Sequence, residues 1–218
     1  GVLHLGPSNT GTTVQLGENA TEDPFAFSEF ANNSSGGGEG GAIFVDQVAD
    51  SLIFSLNVND VGGVAFAGNQ SLSHGGAIAL RGASSGVSFV ELTNLNVTTE
   101  NQTLVGDGGM LWLGSLADGS VNIANCTFEV QTAGGDGGAI SLAGINGLAD
   151  VTVIDTVFGG DSVGNAAGGG GGAIHIGTLG DGAIVRIGQT VDDAPAPVTL
   201  EENVASGSDG GAIWFEGL

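Results

Sequence analysis

A chain of 218 residues and 21.2 kDa is long enough for one domain with a substantial core and short for two of average size. Glycine supplies 43 residues and proline 4, and with 41% hydrophobic residues and a mean hydropathy of +0.28 both collagen and disorder are excluded. Two basic residues (Arg81 and Arg186, with no lysine) against 24 Asp and Glu give a formal charge of −22, which leaves nothing to neutralise phosphates and excludes nucleic acid and anionic membrane surfaces as partners.

The first six residues, Gly1-Val2-Leu3-His4-Leu5-Gly6, match Gly172-Ala173-Ile174-His175-Ile176-Gly177, so the chain is predicted to open inside a repeat. The repeat is explicit from Gly40-Gly41-Ala42-Ile43 onward. It returns at Gly75-Gly76-Ala77-Ile78, Gly108-Gly109-Met110-Leu111, Gly137-Gly138-Ala139-Ile140, Gly171-Gly172-Ala173-Ile174 and Gly210-Gly211-Ala212-Ile213. The aliphatic anchors at 3, 43, 78, 111, 140, 174 and 213 are spaced by 40, 35, 33, 29, 34 and 39 residues. A loose period places the insertions in loops.

Each period carries the same order of signals. A short apolar strand starts at the anchor, as in Ile43-Phe44-Val45 or Leu111-Trp112-Leu113, and a turn such as Ala117-Asp118-Gly119 follows. Next come β-formers alternating with period 2: Ser51-Leu52-Ile53-Phe54, Val87-Ser88-Phe89-Val90, Val121-Asn122-Ile123, Val151-Thr152-Val153-Ile154 and Ile184-Val185-Arg186-Ile187. The third signal is a large apolar residue three before a polar one: Phe30 to Asn33, Phe66 to Asn69, Phe128 to Gln131, Phe158 to Asp161 and Leu200 to Asn203. No window has a helical period. Three short strands per coil, about six coils of roughly 35 residues and no helix predict an all-β, right-handed parallel β-helix over residues 1–218. Its anchors stack as an internal aliphatic ladder and its Phe residues as a second one. Both ends would be open, so the segment is expected to adjoin further solenoid coils or to stack end to end into a filament.

Repeated Gly-Gly-Ala-Ile with Phe-x-x-Asn upstream resembles the repeat of the chlamydial polymorphic outer-membrane proteins and related repeats of other bacterial and algal surface proteins. The resemblance covers nearly the whole chain, departs in the third coil, where residues 93–102 hold no clear Phe-x-x-Asn, and includes no barrel. It implies an extracellular right-handed β-helix used in adhesion.

Chemistry-bearing residues are sparse. Glu39, His74, Asp107, Asp136, Gly170 and Asp209 precede the six Gly-Gly pairs, so stacking brings acidic side chains to one edge, with Asp107 and Asp136 the best candidates for a shared Ca²⁺ and a solvated acidic turn the alternative. Asn-x-Ser/Thr sequons stand at Asn19, Asn32, Asn33, Asn69, Asn96, Asn101 and Asn125. Asn33 and Asn69 double as ladder positions, and Asn19, Asn96 and Asn101, in loop-like segments, are the expected glycosylation sites. His175 alternates with Ile174 and Ile176 and is expected to be a solvated outward residue. The lone Cys126 forms no intrachain disulfide and reads as a buried small hydrophobe. No run approaches 18 apolar residues, so no membrane insertion of this segment is expected. The favoured reading is a non-enzymatic extracellular structural or adhesive rod that needs no cofactor. Its loops at 10–29, 94–105 and 188–197 would form the contact surface toward a carbohydrate or cell-surface ligand. The alternatives are a carbohydrate-active lyase or hydrolase and a calcium-dependent carbohydrate binder.

Overall fold

A computed structural model of the chain describes residues 2–8, 11–16, 28–57, 64–83, 85–160, 163–190, 192, 194–207 and 209–217. The described strands wind as a right-handed parallel β-helix. The anchor sheet has seven strands, Leu3–Leu5, Ile43–Val45, Ile78–Leu80, Leu111–Leu113, Ile140–Ile145, Ile174–Leu179 and Ile213–Gly217, hydrogen-bonded in that order. Its register pairs Leu3, Ile43, Ile78, Leu111, Ile140, Ile174 and Ile213 in one column. Parallel strands of equivalent coils lie about 4.8 Å apart, so the six steps stack like residue on like residue over roughly 29 Å. Of the column, the five anchors from Ile43 to Ile174 are buried.

The alternating β-formers make a second sheet: Thr12–Leu16, Leu52–Asn57, Val87–Thr93, Asp118–Ala124, Asp150–Ile154 and Ile184–Ile187. Val14, Phe54, Val90, Val121, Val151 and Val185 form one inward column, and the first five of these are buried. The third predicted strand is built from two short pieces. One carries the aromatic column, with Phe30 stacked on Phe66 at 5.1 Å and Phe128 on Phe158 at 5.4 Å. The other is a two-residue strand, Ser34–Ser35, Gln70–Ser71, Gln102–Thr103, Thr132–Ala133, Ala166–Ala167 or Val204–Ala205.

The bend between the two pieces is held by a ladder of side-chain amides. Asn69 Oδ1 accepts both the backbone N–H (3.1 Å) and the side-chain N–H (2.9 Å) of Asn33. Asn101 does the same for Asn69, Gln131 for Asn101 and Asn203 for Asn165. Asn165 Oδ1 accepts the backbone N–H of Gln131. Two rungs differ from the sequence expectation. In the third coil Val97 holds the aromatic position, paired with Phe128, and the amide follows four residues later at Asn101. In the fifth coil the rung is Asn165, seven residues after Phe158; Asp161 lies outside the described residues.

The Gly-Gly pair has two separate causes. The first glycine is left-handed, with φ of 60° to 71° at Gly40, Gly75, Gly108, Gly137, Gly171 and Gly210, a conformation that a Cβ penalises. The second is needed for space. A Cβ on Gly138 would run into the Gly172 carbonyl oxygen of the next coil, and Gly41, Gly76, Gly109 and Gly172 meet the equivalent oxygen.

The residue before the amide rung is left-handed at Asn32, Gly68, Val130 and Glu202. Val130, at φ 54°, is β-branched and carries about 1–2 kcal/mol of backbone strain. Val130→Asn is therefore expected to raise stability by about 1 kcal/mol in chemical denaturation. Asn101→Leu, which strands the Asn69 N–H groups and takes one of two donors from Gln131 Oε1, is expected to cost about 3 kcal/mol or more in the same measurement.

Candidate functional surface

The acidic edge is a hydrogen-bonded stack in its middle. The Asp107 backbone N–H donates to His74 Nδ1 (3.2 Å), Asp136 N–H to Asp107 Oδ1 (2.8 Å) and Gly170 N–H to Asp136 Oδ1 (2.7 Å). Asp107 and Asp136 are thus neighbours, as expected from their position in the repeat. One oxygen of each carboxylate satisfies a backbone donor of the following coil, a role the sequence reading did not assign. Among the described residues no group of three or more His, Cys, Asp or Glu converges as a metal-ligand set.

The sequons separate. Asn96 is exposed in a short strand. Asn101 is corrected: it is fully buried, and its amide donates to Gln131 Oε1 at 2.9 Å and to the Phe66 carbonyl at 3.2 Å. A folded chain offers no room for a glycan there. Asn19 lies outside the described residues. Asn32 and Asn125 are exposed, each at a left-handed corner, and Asn125 Nδ2 donates to Asn94 Oδ1 at 2.6 Å.

His175 is also corrected. Alternation does turn it to the outer face, but the residue is only 3% exposed. The outer column of the anchor sheet reads His4, Phe44, Ala79, Trp112, Ser141, His175 and Trp214, with large and small side chains alternating from Phe44 to His175. The His175 ring packs at 5.0 Å from Trp214, and His74 stacks on Trp112 at 4.5 Å. These rings shield one another, a lateral packing that no single strand's pattern reveals. His175 Nδ1 lies 3.0 Å from Ser141 Oγ, and Nε2 lies 3.6 Å from Glu216 Oε2, too far for a hydrogen bond. The Ser-His-Glu line has the order of a hydrolase triad. Its serine has no exposed surface, so a substrate carbonyl cannot reach the hydroxyl.

Both arginines are paired. Arg81 donates to Glu39 through Nε (3.0 Å) and Nη2 (3.2 Å) and to Asp46 through Nη1 (3.3 Å), with its guanidinium 5.4 Å from the Phe44 ring centre. Arg81, Glu39 and Phe44, together with His4, Ser35, Gly38 and Ser73, line a cavity of about 370 Å³. Arg186 pairs with Asp150 on the alternating sheet. Beyond Phe158, the segment that delays the Asn165 rung borders a second cavity of about 500 Å³, lined by Glu129, Val130, Val157, Gly159, Gly160, Val163 and Glu201.

Compared with family models, curated proteins and solved structures, the chain has no match.

Cys126 is buried as expected, its thiol donating to the Leu92 carbonyl at 3.4 Å and the Ala124 carbonyl at 3.2 Å. Burial pushes its pKa up from 9.0 to about 11. The folded state keeps its proton where the unfolded chain has lost it, so this contribution to stability is full below pH 9 and falls between pH 9 and 11. Thiol labelling at pH 8 is expected to be slow for the native protein and fast in denaturant; rapid native labelling would contradict the burial.

Proposed function

We propose that the chain is part of an extracellular, non-enzymatic β-helix that acts as a stiff structural and adhesive scaffold, kin to the surface-protein repeats its Gly-Gly-Ala-Ile and Phe-x-x-Asn signals resemble. The observation that carries this reading is where the reactive side chains go. The recurring amides and the carboxylates of Asp107 and Asp136 hydrogen-bond from one coil to the next. Ser141, the hydroxyl set against a histidine, is sealed.

A rod built this way keeps its shape because each coil closes the hydrogen bonds of the one before it. The outer columns remain as contact surface. Exposed sequon positions such as Asn96 and the absence of lysine suit an extracellular, protease-exposed setting.

The competing reading is a carbohydrate-active hydrolase, of which the Ser141–His175–Glu216 line favours one that cleaves acyl esters on polysaccharides. The test is acid release from acetylated xylan and methyl-esterified pectin, with turnover of cellulose, xylan, pectin, alginate and starch followed by reducing-end release and by the ultraviolet absorbance of unsaturated products. No turnover, with a melting temperature unchanged by chelator, is the expected result. Turnover abolished by Ser141→Ala would overturn the proposal, and a chelator-dependent drop in the melt would assign the acidic edge to calcium.

A further inference from the structure

The outer face of the alternating sheet does not have the solvated polar surface of an inert spacer. Two outward columns run along the rod: Ile53, Phe89, Ser120, Asp150 and Ile184, and beside it Ser55, Glu91, Asn122, Thr152 and Arg186. Phe89 is 47% exposed, Ile53 across from it 36%, and Val87 on the same strand face 54%. A contiguous apolar patch on so acidic a surface marks a place where something binds.

Next to this patch a cavity of about 370 Å³ is lined by Ser120, Asn122, Asp150, Thr152, Ile154 and Thr190, with Val121. Its far wall comes from an insertion. Thr156 pairs with Val198 in the aromatic sheet, yet Thr156 directly follows the left-handed corner at Asp155, whereas Val198 follows Gly188 only after residues 189–197. The described residues of the added segment pair with one another: Gln189 bridges Pro195 antiparallel, Thr190 N–H donates to the Ala194 carbonyl (2.9 Å) and Ala194 N–H to Thr190 Oγ1 (3.1 Å).

We propose that this groove binds a neutral oligosaccharide lying along the rod axis, with a sugar ring face on Phe89 and hydroxyls on the Asp150–Arg186 pair, Asn122 and Ser120. The inference rests on the adhesive-scaffold reading and names its contact surface. The chemistry of the lining selects the ligand. A carboxylate beside a guanidinium presents an acceptor and a donor side by side, and a vicinal diol, each hydroxyl of which both donates and accepts, matches that edge. The Asn122 amide and Ser120 hydroxyl extend the same dual capacity. Phe89 supplies the flat apolar surface that the C–H face of a sugar ring covers.

Charge excludes acidic sugars. The chain carries −22 and Arg186 is already neutralised by Asp150, so an anionic ligand meets repulsion with no free cation to offset it. Columns repeating at about 4.8 Å per coil match an extended chain of rings better than a single ring.

The experiment is isothermal titration of the 218-residue chain with cellohexaose, laminarihexaose, mannohexaose and chitohexaose, with hexagalacturonate as the acidic control. At least one neutral hexasaccharide is expected to bind with a sub-millimolar Kd, and hexagalacturonate at least tenfold more weakly. Phe89→Ala and Asn122→Ala, at positions outside the core, are each expected to weaken binding about tenfold or more while leaving the melting temperature in place. Absence of neutral binding, preference for hexagalacturonate, or unchanged affinity in both variants overturns the proposal. So does a concentration-dependent dimer in sedimentation that Phe89→Ala abolishes, which would assign the face to a second copy of the chain. These outcomes leave the scaffold reading standing, whereas polysaccharide turnover removes that reading itself.

Discussion

Every coil hydrogen-bonds to the next at the spacing of a single parallel sheet, and this one distance governs the rest of the molecule. At about 4.8 Å between equivalent backbones a side chain has its own counterpart as its nearest neighbour above and below. Each column must therefore be chemically compatible with itself. Aliphatic anchors, inward valines and phenylalanines satisfy that condition by packing. The second glycine of the pairs from Gly41 to Gly172 satisfies it by absence, because its position faces the carbonyl oxygen of the next coil directly.

Polar residues can join such a column only if each is both donor and acceptor. A side-chain amide is, and the column from Asn33 to Asn203 is built from amides alone. Carboxylates in the same place would lack a donor and repel one another. Where acids do stack, at Asp107 and Asp136, they sit at the partly exposed edge and accept from the following coil's backbone N–H. Among the described residues the columns inside the coil are thus uncharged and the amide column closes its own hydrogen bonds, which is how a chain with 24 acidic residues keeps a continuous core.

The same rule shapes the exterior. Outward columns also stack, and in the anchor sheet His74 covers Trp112 while His175 and Trp214 cover one another. Around those rings the face is closed on itself. The alternating sheet is different, with Phe89 and Ile53 left open beside a hydroxyl- and amide-lined hollow. The two faces of one rod therefore differ in what they can offer a partner.

The sequence by itself determined the all-β class, the parallel winding and the register of the anchors, because a column of Ile or Leu recurs at every coil whatever the loop between them. It also marked Asn33, Asn69, Gln131 and Asn203, where the distance from the preceding apolar residue stays at three. It missed Asn101 and Asn165, since residues added at a bend change the count along the chain without moving the rung in space. Alternation likewise told which side of the sheet His175 faces and nothing about its neighbours. Its burial against Ser141 and Trp214 comes from side chains 34 and 39 residues away along the chain, and only the stacking of coils brings them together. The hollow walled by Thr190 has the same origin: its lining is spread over three coils, and no local pattern in any one of them announces it.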